Sequence, residues 1–423
     1  MSESLMKKQD KFGESTTFIP YWWKVVLAFT LGTIFLNADR YILNPILGEI
    51  GLEYNLNNTQ LGLVNSIFFF TYTIAQIPAG TLSDKFGRKI ILVPGFILFG
   101  IFTGVSGIMA GFTGFLVARA LTGLTQATYY GPQFALSSEA IPNKRRSIGS
   151  AIINSGAALG ISLGFISSST LVLEWGINWR MMFYIFSVLT ILCGLFIGVV
   201  VKEGKRQKKD VSNPVIDVEA DISMLSLLKN RNLLITFIVL FCSIYGFTVI
   251  MTWLPKYLQV ERGFQGSEIG FISSLVPWAA IPGSLFVGYL SDKYGKKKIF
   301  VFTLVPIAAI SLWATVYIQS IPLMIGALII YGLFGKIALD PVLIATVSEN
   351  VNPESYGRAF SLYNFIGMSC SIVAPFIAGY LADLTGSMAA GFYSAVIILG
   401  ISLIIMMFFK ETSPNTHFEE GNI

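Results

Sequence analysis

The chain is short of charge, histidine and cysteine, and each shortage removes a class of function. Only 13% of its 423 residues are Asp, Glu, Lys or Arg, while 54% are hydrophobic. An ordinary soluble domain carries about 25% charge, so a water-soluble globule is excluded. His417 is the only histidine and stands in a polar tail, which leaves no material for a histidine-based triad or zinc site. Cys193, Cys242 and Cys370 fall singly inside apolar stretches. They lack the spacing of metal ligands and read as small lipid-phase side chains. No GxxxxGK[ST] loop is present to cradle phosphates, so neither an ATP site nor another cofactor is expected, and the chain does not read as an enzyme. The first 20 residues are polar and mixed in charge, and the apolar segment after them is of span length. No cleavable leader is therefore expected, and the first span serves as its own insertion signal.

What the chain has instead is long apolar runs. About 20 apolar residues cross a bilayer core of about 30 Å, and such runs recur between short polar breaks. We count twelve: 21–45, 57–80, 90–110, 112–136, 147–170, 180–201, 232–254, 267–290, 298–318, 321–346, 359–382 and 388–409. The longest break, with KEGKRQKKD at its start, divides them six and six. The expected organisation is an all-α integral membrane protein: a cytoplasmic tail 1–20, a six-helix bundle 21–201, a cytoplasmic linker 202–231, a second six-helix bundle 232–409 and a cytoplasmic tail 410–423. Within the linker, DISMLSLLKNRN at 221–232 suits a short interfacial helix.

The net charge of +5 does not point to nucleic acid, because of where the cations lie. Of the 29 Lys and Arg, all but Arg40, Arg119, Arg180, Lys256, Arg262 and Lys336 fall in the tails, the even-numbered loops or the adjoining helix ends. That asymmetry places both termini in the cytosol, in a multi-pass protein of the cell membrane.

GTLSDKFGRK at 80–89 returns as GYLSDKYGKK at 288–297, so the two halves are a duplication and these are equivalent loops. Weaker echoes support this: SSEAIPNKRRSIGSA after span four matches SENVNPESYGRAFSL after span ten, relating Glu139 and Arg145 to Glu349 and Arg358. On these motifs, over nearly its full length, the chain resembles a transporter of the major facilitator superfamily. Gly80 and Gly288 permit close helix contact, and Asp84 and Asp292 can cap a following helix or pair with nearby cations such as Arg88. The resemblance implies that Gly80, Asp84, Arg88, Glu139, Arg145, Gly288, Asp292, Glu349 and Arg358 form loop networks that hold an outward-facing state and break as the halves rock. Arg180, opening span six after Trp179, is expected to meet headgroups or loop carboxylates and has no transport role.

Charges inside spans cost at least about 2.5 kcal/mol each and call for a partner or a function. Five qualify: Asp39, Arg40, Arg119, Lys336 and Asp340. Three cations against two anions leave one positive charge, which an anionic substrate completes. Arg40 and Arg119 suit a carboxylate held in bidentate fashion. Lys336 and Asp340 stand four apart on one helix face, where a structural ion pair and a working site are equally open. Asp39 and Arg40, as adjacent residues, project about 100° apart and address different partners. Gln126 shares the Arg119 face two turns on, and Tyr72, Gln76, Tyr129, Tyr130, Asn154, Tyr245, Trp253 and Asn364 are polar or aromatic residues able to orient a substrate.

NADRYILNP at 37–45, TQLGLVNSIFFFTYTIAQIPAG at 59–80 and the Arg119 segment are most similar to the anion:cation symporter family of organic-anion and sugar-acid importers. The resemblance implies that Arg40 and Tyr72 touch substrate and that Asp39 exchanges a proton. The chain departs from that pattern at Gln126, where many members carry Glu, and at Ala157 and Met368, where they carry amides. A glutamine cannot titrate, so proton coupling falls to Asp39 or Asp340. The expected function is proton-coupled import of a small organic anion by a monomer in the lipid bilayer, using alternating access. The alternative is a proton-antiport exporter of drugs, lipids or metabolites, but span five, GSAIINSGAALGISLGFISSS, lacks the Gly-Pro signature such exporters usually carry.

Overall fold

The computed structural model describes residues 20–203, 224–352 and 355–411. The expected tails, including His417, and most of the expected linker lie outside the described residues. Within these limits the protein is helical. The N-terminal set comprises α1 (Tyr21–Ile42), α2 (Leu47–Tyr54), α3 (Asn58–Phe86), α4 (Arg88–Ile108), α5 (Phe112–Gln126), α6 (Tyr130–Ala140), α7 (Arg146–Ser168) and α8 (Arg180–Val200). After a short α9 (Met224–Lys229), in the region expected to hold an interfacial helix, comes a C-terminal set. It consists of α10 (Arg231–Val260), α11 (Ser267–Tyr294), α12 (Lys297–Tyr317), α13 (Ile321–Phe334), α14 (Lys336–Glu349), α15 (Tyr356–Thr385) and α16 (Ala389–Met406).

Among the described residues, 11 helices are long and apolar enough to cross a membrane. The expected span 112–136 is the exception, because it is carried by α5 and α6 with a break at Ala127–Tyr129. Pro132 follows the break and has no N–H to offer the Thr128 carbonyl. The span 321–346 is interrupted as well. Gly335 is extended between α13 and α14, which places Lys336 at a helix start in the middle of the span. Large apolar side chains such as Val199, Leu285 and Ile397 face outward, as a hydrocarbon solvent requires.

Packing inside each set relies on small residues. On α7, Gly156, Gly160 and Gly164 recur every four residues, and a Cβ at these positions would lie 2.9, 2.3 and 2.7 Å from α1 carbonyl oxygens, so α7 rests directly on the α1 backbone. Between the sets, the main contacts are α3 with α15 and α7 with α11. They obey the duplication: a Cβ at Gly62 would come 2.3 Å from the Pro375 oxygen, and one at Gly270, which is 208 residues later, 2.5 Å from the Phe165 oxygen.

The ends of the chain define one face. Tyr21 Oη donates to the Lys202 carbonyl at 3.2 Å, and Asn232 Nδ2 donates to the Lys410 carbonyl at 2.9 Å. We call this the terminal face and the opposite one the distal face. At the distal face, Asn58 and Thr59 at the start of α3 donate four hydrogen bonds of 2.5–2.9 Å to Asp383 near the end of α15. In the related position of the other interface, the Ser267 amide at the start of α11 donates to Glu174 Oε2 at 3.1 Å. Each set thus supplies a carboxylate to a helix N-terminus of the other, where the unpaired amides and the helix dipole favour negative charge. The distal face is closed.

Gly62→Ala or Gly270→Ala drives a methyl group into a carbonyl of the other set. At an overpacking cost of about 1–3 kcal/mol, the distal face is expected to loosen. Spin labels at the exposed distal positions Leu52 and Leu384 will report longer and broader distances. An unchanged distribution would show that the contact is not limiting.

Candidate functional site

Adjacent residues of α1 divide two tasks, as their 100° offset requires. Asp39 turns into the N-terminal set. Thr103 Oγ1 donates to its Oδ1 at 2.7 Å, and Arg119 Nη1 stands 3.6 Å from its Oδ2. Both charged side chains are 0% exposed. Arg119, expected at the cavity surface, is instead walled in. Its guanidinium lies 5.0 Å from the centroid of the Phe68 ring, and among the described residues none of its nitrogens has a hydrogen-bond partner.

Arg40 faces the other way, into a cavity of ≈ 210 Å³ between the two sets. Its Nε donates to Gln126 Oε1, its guanidinium sits 4.5 Å from the centroid of the Tyr72 ring, and its Nη2 is buried without a partner. No carboxylate of the described residues pairs with it. The break between α5 and α6 arranges this environment, since it turns Gln126, Tyr129 and Tyr130 toward α1. Gln126 Nε2 donates to the Leu36 carbonyl at 3.2 Å, Tyr129 Oη to the Phe29 carbonyl at 2.9 Å, and Tyr130 Oη accepts from Asn37 Nδ2 at 3.4 Å.

The C-terminal set brings Lys336 to the same cavity. Its Nζ lies 2.5 Å from Asp340 Oδ2, while Tyr363 Oη donates to Asp340 Oδ1 at 3.3 Å. The i,i+4 pair inferred from spacing therefore exists, and it leaves Lys336 half-buried at the cavity wall with its counter-charge already supplied. Ala157 and Met368, the positions that depart from the family pattern, also line this space.

Gln76 and Asn364 lie elsewhere. Asn364 Nδ2 donates to Gln76 Oε1 at 2.9 Å across the two sets, and both border a second, larger cavity of ≈ 650 Å³ lined also by Gly80 and Tyr130. Three other candidates line neither cavity. Tyr245 Oη bonds Ser394 Oγ at 3.0 Å, Trp253 Nε1 donates to the Pro375 carbonyl at 3.2 Å, and Asn154 is exposed. Sequence reasoning passed over Asn44, Asn65, Thr248 and Ser371, all of which line the central cavity. The available signal was the Asn44–Pro45 pair four residues beyond Arg40, in the turn that follows α1.

The terminal-face loops pair within their own sets. Arg88 bonds Glu139 and lies 4.0 Å from Asp84, while Lys297 Nζ is 3.5 Å from Glu349 Oε1. The duplication is therefore kept, with a shift of one residue along the basic pair, and each of these ion pairs stays inside one set. Of the two roles expected for Asp84, it takes the pairing with Arg88 and not the capping of α4. Glu203, from beyond α8, accepts the Arg88 and Lys89 amides at 2.8 and 3.0 Å, because Asp84 is still inside α3. Arg145 stacks on Trp22 at 5.2 Å and Asp292 is exposed; a Cβ at Gly288 would meet Pro341 at 3.6 Å and one at Gly80 nothing within 4 Å, so neither glycine makes the close helix contact expected of it. Arg358 lies in the first turn of α15.

At the distal face Arg180 meets a carboxylate, that of Glu53 in the last turn of α2 and not of a loop. Its Nη1 lies 2.5 Å from Glu53 Oε1, and Trp179 Nε1 donates to Glu53 Oε2 at 2.5 Å. Burial acts to raise the Glu53 pKa, but the Arg180 and Trp179 hydrogen bonds and the Arg180 charge outweigh it and hold the carboxyl below its ordinary value. A depressed carboxylate stabilises the fold above its unfolded pKa of about 4.3 and loses that contribution as the pH falls through the folded value. The melting temperature of Glu53→Gln is therefore expected to fall below that of the parent at neutral pH, with the gap narrowing only under acid conditions. A gap that does not depend on pH would remove the ionised pair as its cause.

A second expectation concerns the buried pair. Removing one member of a buried ion pair costs about 3–5 kcal/mol, whereas replacing both by apolar residues is often neutral. Asp39→Leu and Arg119→Met should each lower the melting temperature of the purified protein sharply, and the double variant should recover most of the loss. Additive losses would mean that the two charges do not depend on each other.

The family model described as Major Facilitator Superfamily matches residues 29–267 and 236–422. The chain is 26% identical to the "Probable galactarate/D-glucarate transporter GudP" of Bacillus subtilis (strain 168), over 90% of this chain and 89% of that protein. It is also 26% identical to the cis,cis-muconate transport protein of Acinetobacter baylyi, over 92% and 95%. Among solved structures, a bacterial homologue of the human lysosomal transporter Spinster, inward-facing and unoccupied, superposes with a TM-score of 0.77 at 17% identity, over 92% of this chain and 97% of that one. These proteins are membrane transporters of organic acids or share only the fold, and none is an enzyme. The chain belongs to the Major Facilitator Superfamily.

Proposed function

We propose that the protein imports a small organic anion, a carboxylate or sugar acid, together with protons. The observation that carries this reading is Arg40: a guanidinium at the central cavity with no carboxylate partner and a buried, unbonded Nη2. A charge so placed is costly until an anion arrives, and the planar fork suits a carboxylate. Tyr72 and Gln126 hold the guanidinium in place, Lys336, paired with Asp340, offers N–H donors from the opposite wall, and Asn364 stands on the route to the terminal face. The names of the relatives, which handle galactarate, D-glucarate and muconate, support the same class.

In this reading the chain makes twelve spans, with α5 and α6 together forming the fourth. The N-terminal bundle is 21–201 and the C-terminal bundle 232–409, the terminal face is cytoplasmic, and the protein acts as a monomer in the cell membrane. The closed distal face, together with terminal-face ion pairs that stay inside one set, corresponds to an inward-facing conformation. Alternating access exchanges one closure for the other.

Coupling follows from charge. Asp39 is the counter-ion of Arg119, so a proton on Asp39 leaves Arg119 uncompensated in a dry environment. Arg40 and Arg119 lie within 5.7 and 5.0 Å of the same Phe68 ring centroid, so the excess positive charge arises beside the anion site. Protonation favours anion binding and release of the proton favours its departure, while Asp340 remains a second candidate for the same exchange.

Proteoliposome uptake of labelled organic anions, with and without an inward proton gradient, tests the proposal. Gradient-driven accumulation should vanish in Arg40→Ala. Asp39→Asn should lose the response to the gradient while still exchanging anion for anion. Transport of lipophilic cations or dyes against the proton gradient, without anion uptake, would replace this reading with proton-antiport export.

A further inference from the structure

Asn44 joins the cavity to the opposite set through one hydrogen bond, to a carbonyl that a proline deprives of its helical donor. Pro255 lies inside α10 and has no N–H, so the Met251 carbonyl four residues earlier has no donor from its own helix. A buried carbonyl needs a partner. Asn44 Nδ2, from the N-terminal set, donates to it at 2.9 Å. The Asn44 amide is in turn oriented by Asn65, whose Nδ2 donates to Asn44 Oδ1 at 3.1 Å. Asn44 and Asn65 are 2% and 3% exposed. All three residues line the cavity that Arg40 enters, and Asn44 stands one turn beyond Arg40. Among the described residues no other carbonyl freed by a helix-internal proline accepts a hydrogen bond from a side chain of the opposite set.

We propose that Asn44 is a positioning residue that couples the central site to closure of the distal face. This rests on the transport reading above. When the distal face opens, α1 and α10 separate and the Met251 carbonyl loses its donor. When it closes, Asn44 restores the bond directly over the bound anion, with Asn65 keeping the amide in the donating orientation. Pro255 is what makes the bond necessary: with any other residue at 255, α10 would satisfy Met251 by itself and the closed state would gain nothing from Asn44. The clasp thus adds to closure a bond that opening removes, at a point where the arriving anion and the opposite set are both within reach.

Two readouts test the proposal, one of which needs no substrate. A cysteine in place of Ile161, which lines the cavity, is labelled by a membrane-impermeant maleimide applied from the distal side, against the background of the protein without it. Loss of a donor to a buried carbonyl predicts a rise of roughly tenfold in the labelling rate for Asn44→Leu. Pro255→Ala supplies the missing N–H, so the double variant should label at the rate of Pro255→Ala alone. Asn65→Leu, which leaves the donor but not its orientation, should raise the rate less, and it carries the test if Asn44→Leu does not fold.

In uptake assays Asn44→Leu should lower turnover about tenfold while the KM changes little. Labelling unchanged by Asn44→Leu, or a double variant that behaves like Asn44→Leu alone, would overturn the proposal. If the protein moved no anion but the labelling pattern held, the transport reading would fall and the clasp would stand.

Discussion

The arrangement of the membrane-embedded core depends on how ionised side chains find counter-charge where water is absent. Five of them lie inside the spans, and the fold settles them in three ways. Asp39 and Arg119 neutralise one another in full burial, and Lys336 and Asp340 do so at the cavity wall. Arg40 is left over. Because buried pairs contribute little net stability against apolar replacements, two such pairs and one unmatched cation are poorly explained as structural supports. They are well explained as a site whose charge is completed by a ligand, which is why Arg40 carries the proposed function.

The duplication supplies the mechanical frame. Gly62 with Pro375 and Gly270 with Phe165 bring backbones of the two sets into contact at related positions, and Asp383 and Glu174 extend the relation to the helix N-termini at the distal face. Symmetry ends at the charges, however. The N-terminal set hides its ion pair and exposes Arg40, whereas the C-terminal set leaves its pair at the cavity surface. Two copies of one scaffold have thus come to hold one charged site, to which the N-terminal copy contributes the unmatched cation.

The candidate site was legible in part. The 100° offset between neighbouring helix residues separated Asp39 from Arg40 correctly, and the four-residue spacing of Lys336 and Asp340 became a real contact. Arg119 did not behave as expected. A guanidinium in a span signals a partner, but whether that partner is a substrate or a carboxylate of another helix depends on rotations no single span contains. The capping of α4 by Glu203 was hidden for the same reason, since donor and acceptor stand 115 residues apart. Asn44 gave almost no signal, because its meaning comes from a proline on the other set.

By itself the sequence determined the features that local composition and repetition dictate: a helical membrane protein, its duplicated halves, and which residues carry charge into the hydrocarbon. These features need only hydrophobic length, charge and periodicity, all of which are short-range. Tertiary structure alone decided which buried charges cancel, which one remains, which face of the molecule is closed, and which carbonyl freed by a proline is claimed by Asn44. Each of those outcomes is a contact between helices far apart in the chain, and such contacts are set by how the backbones pack together.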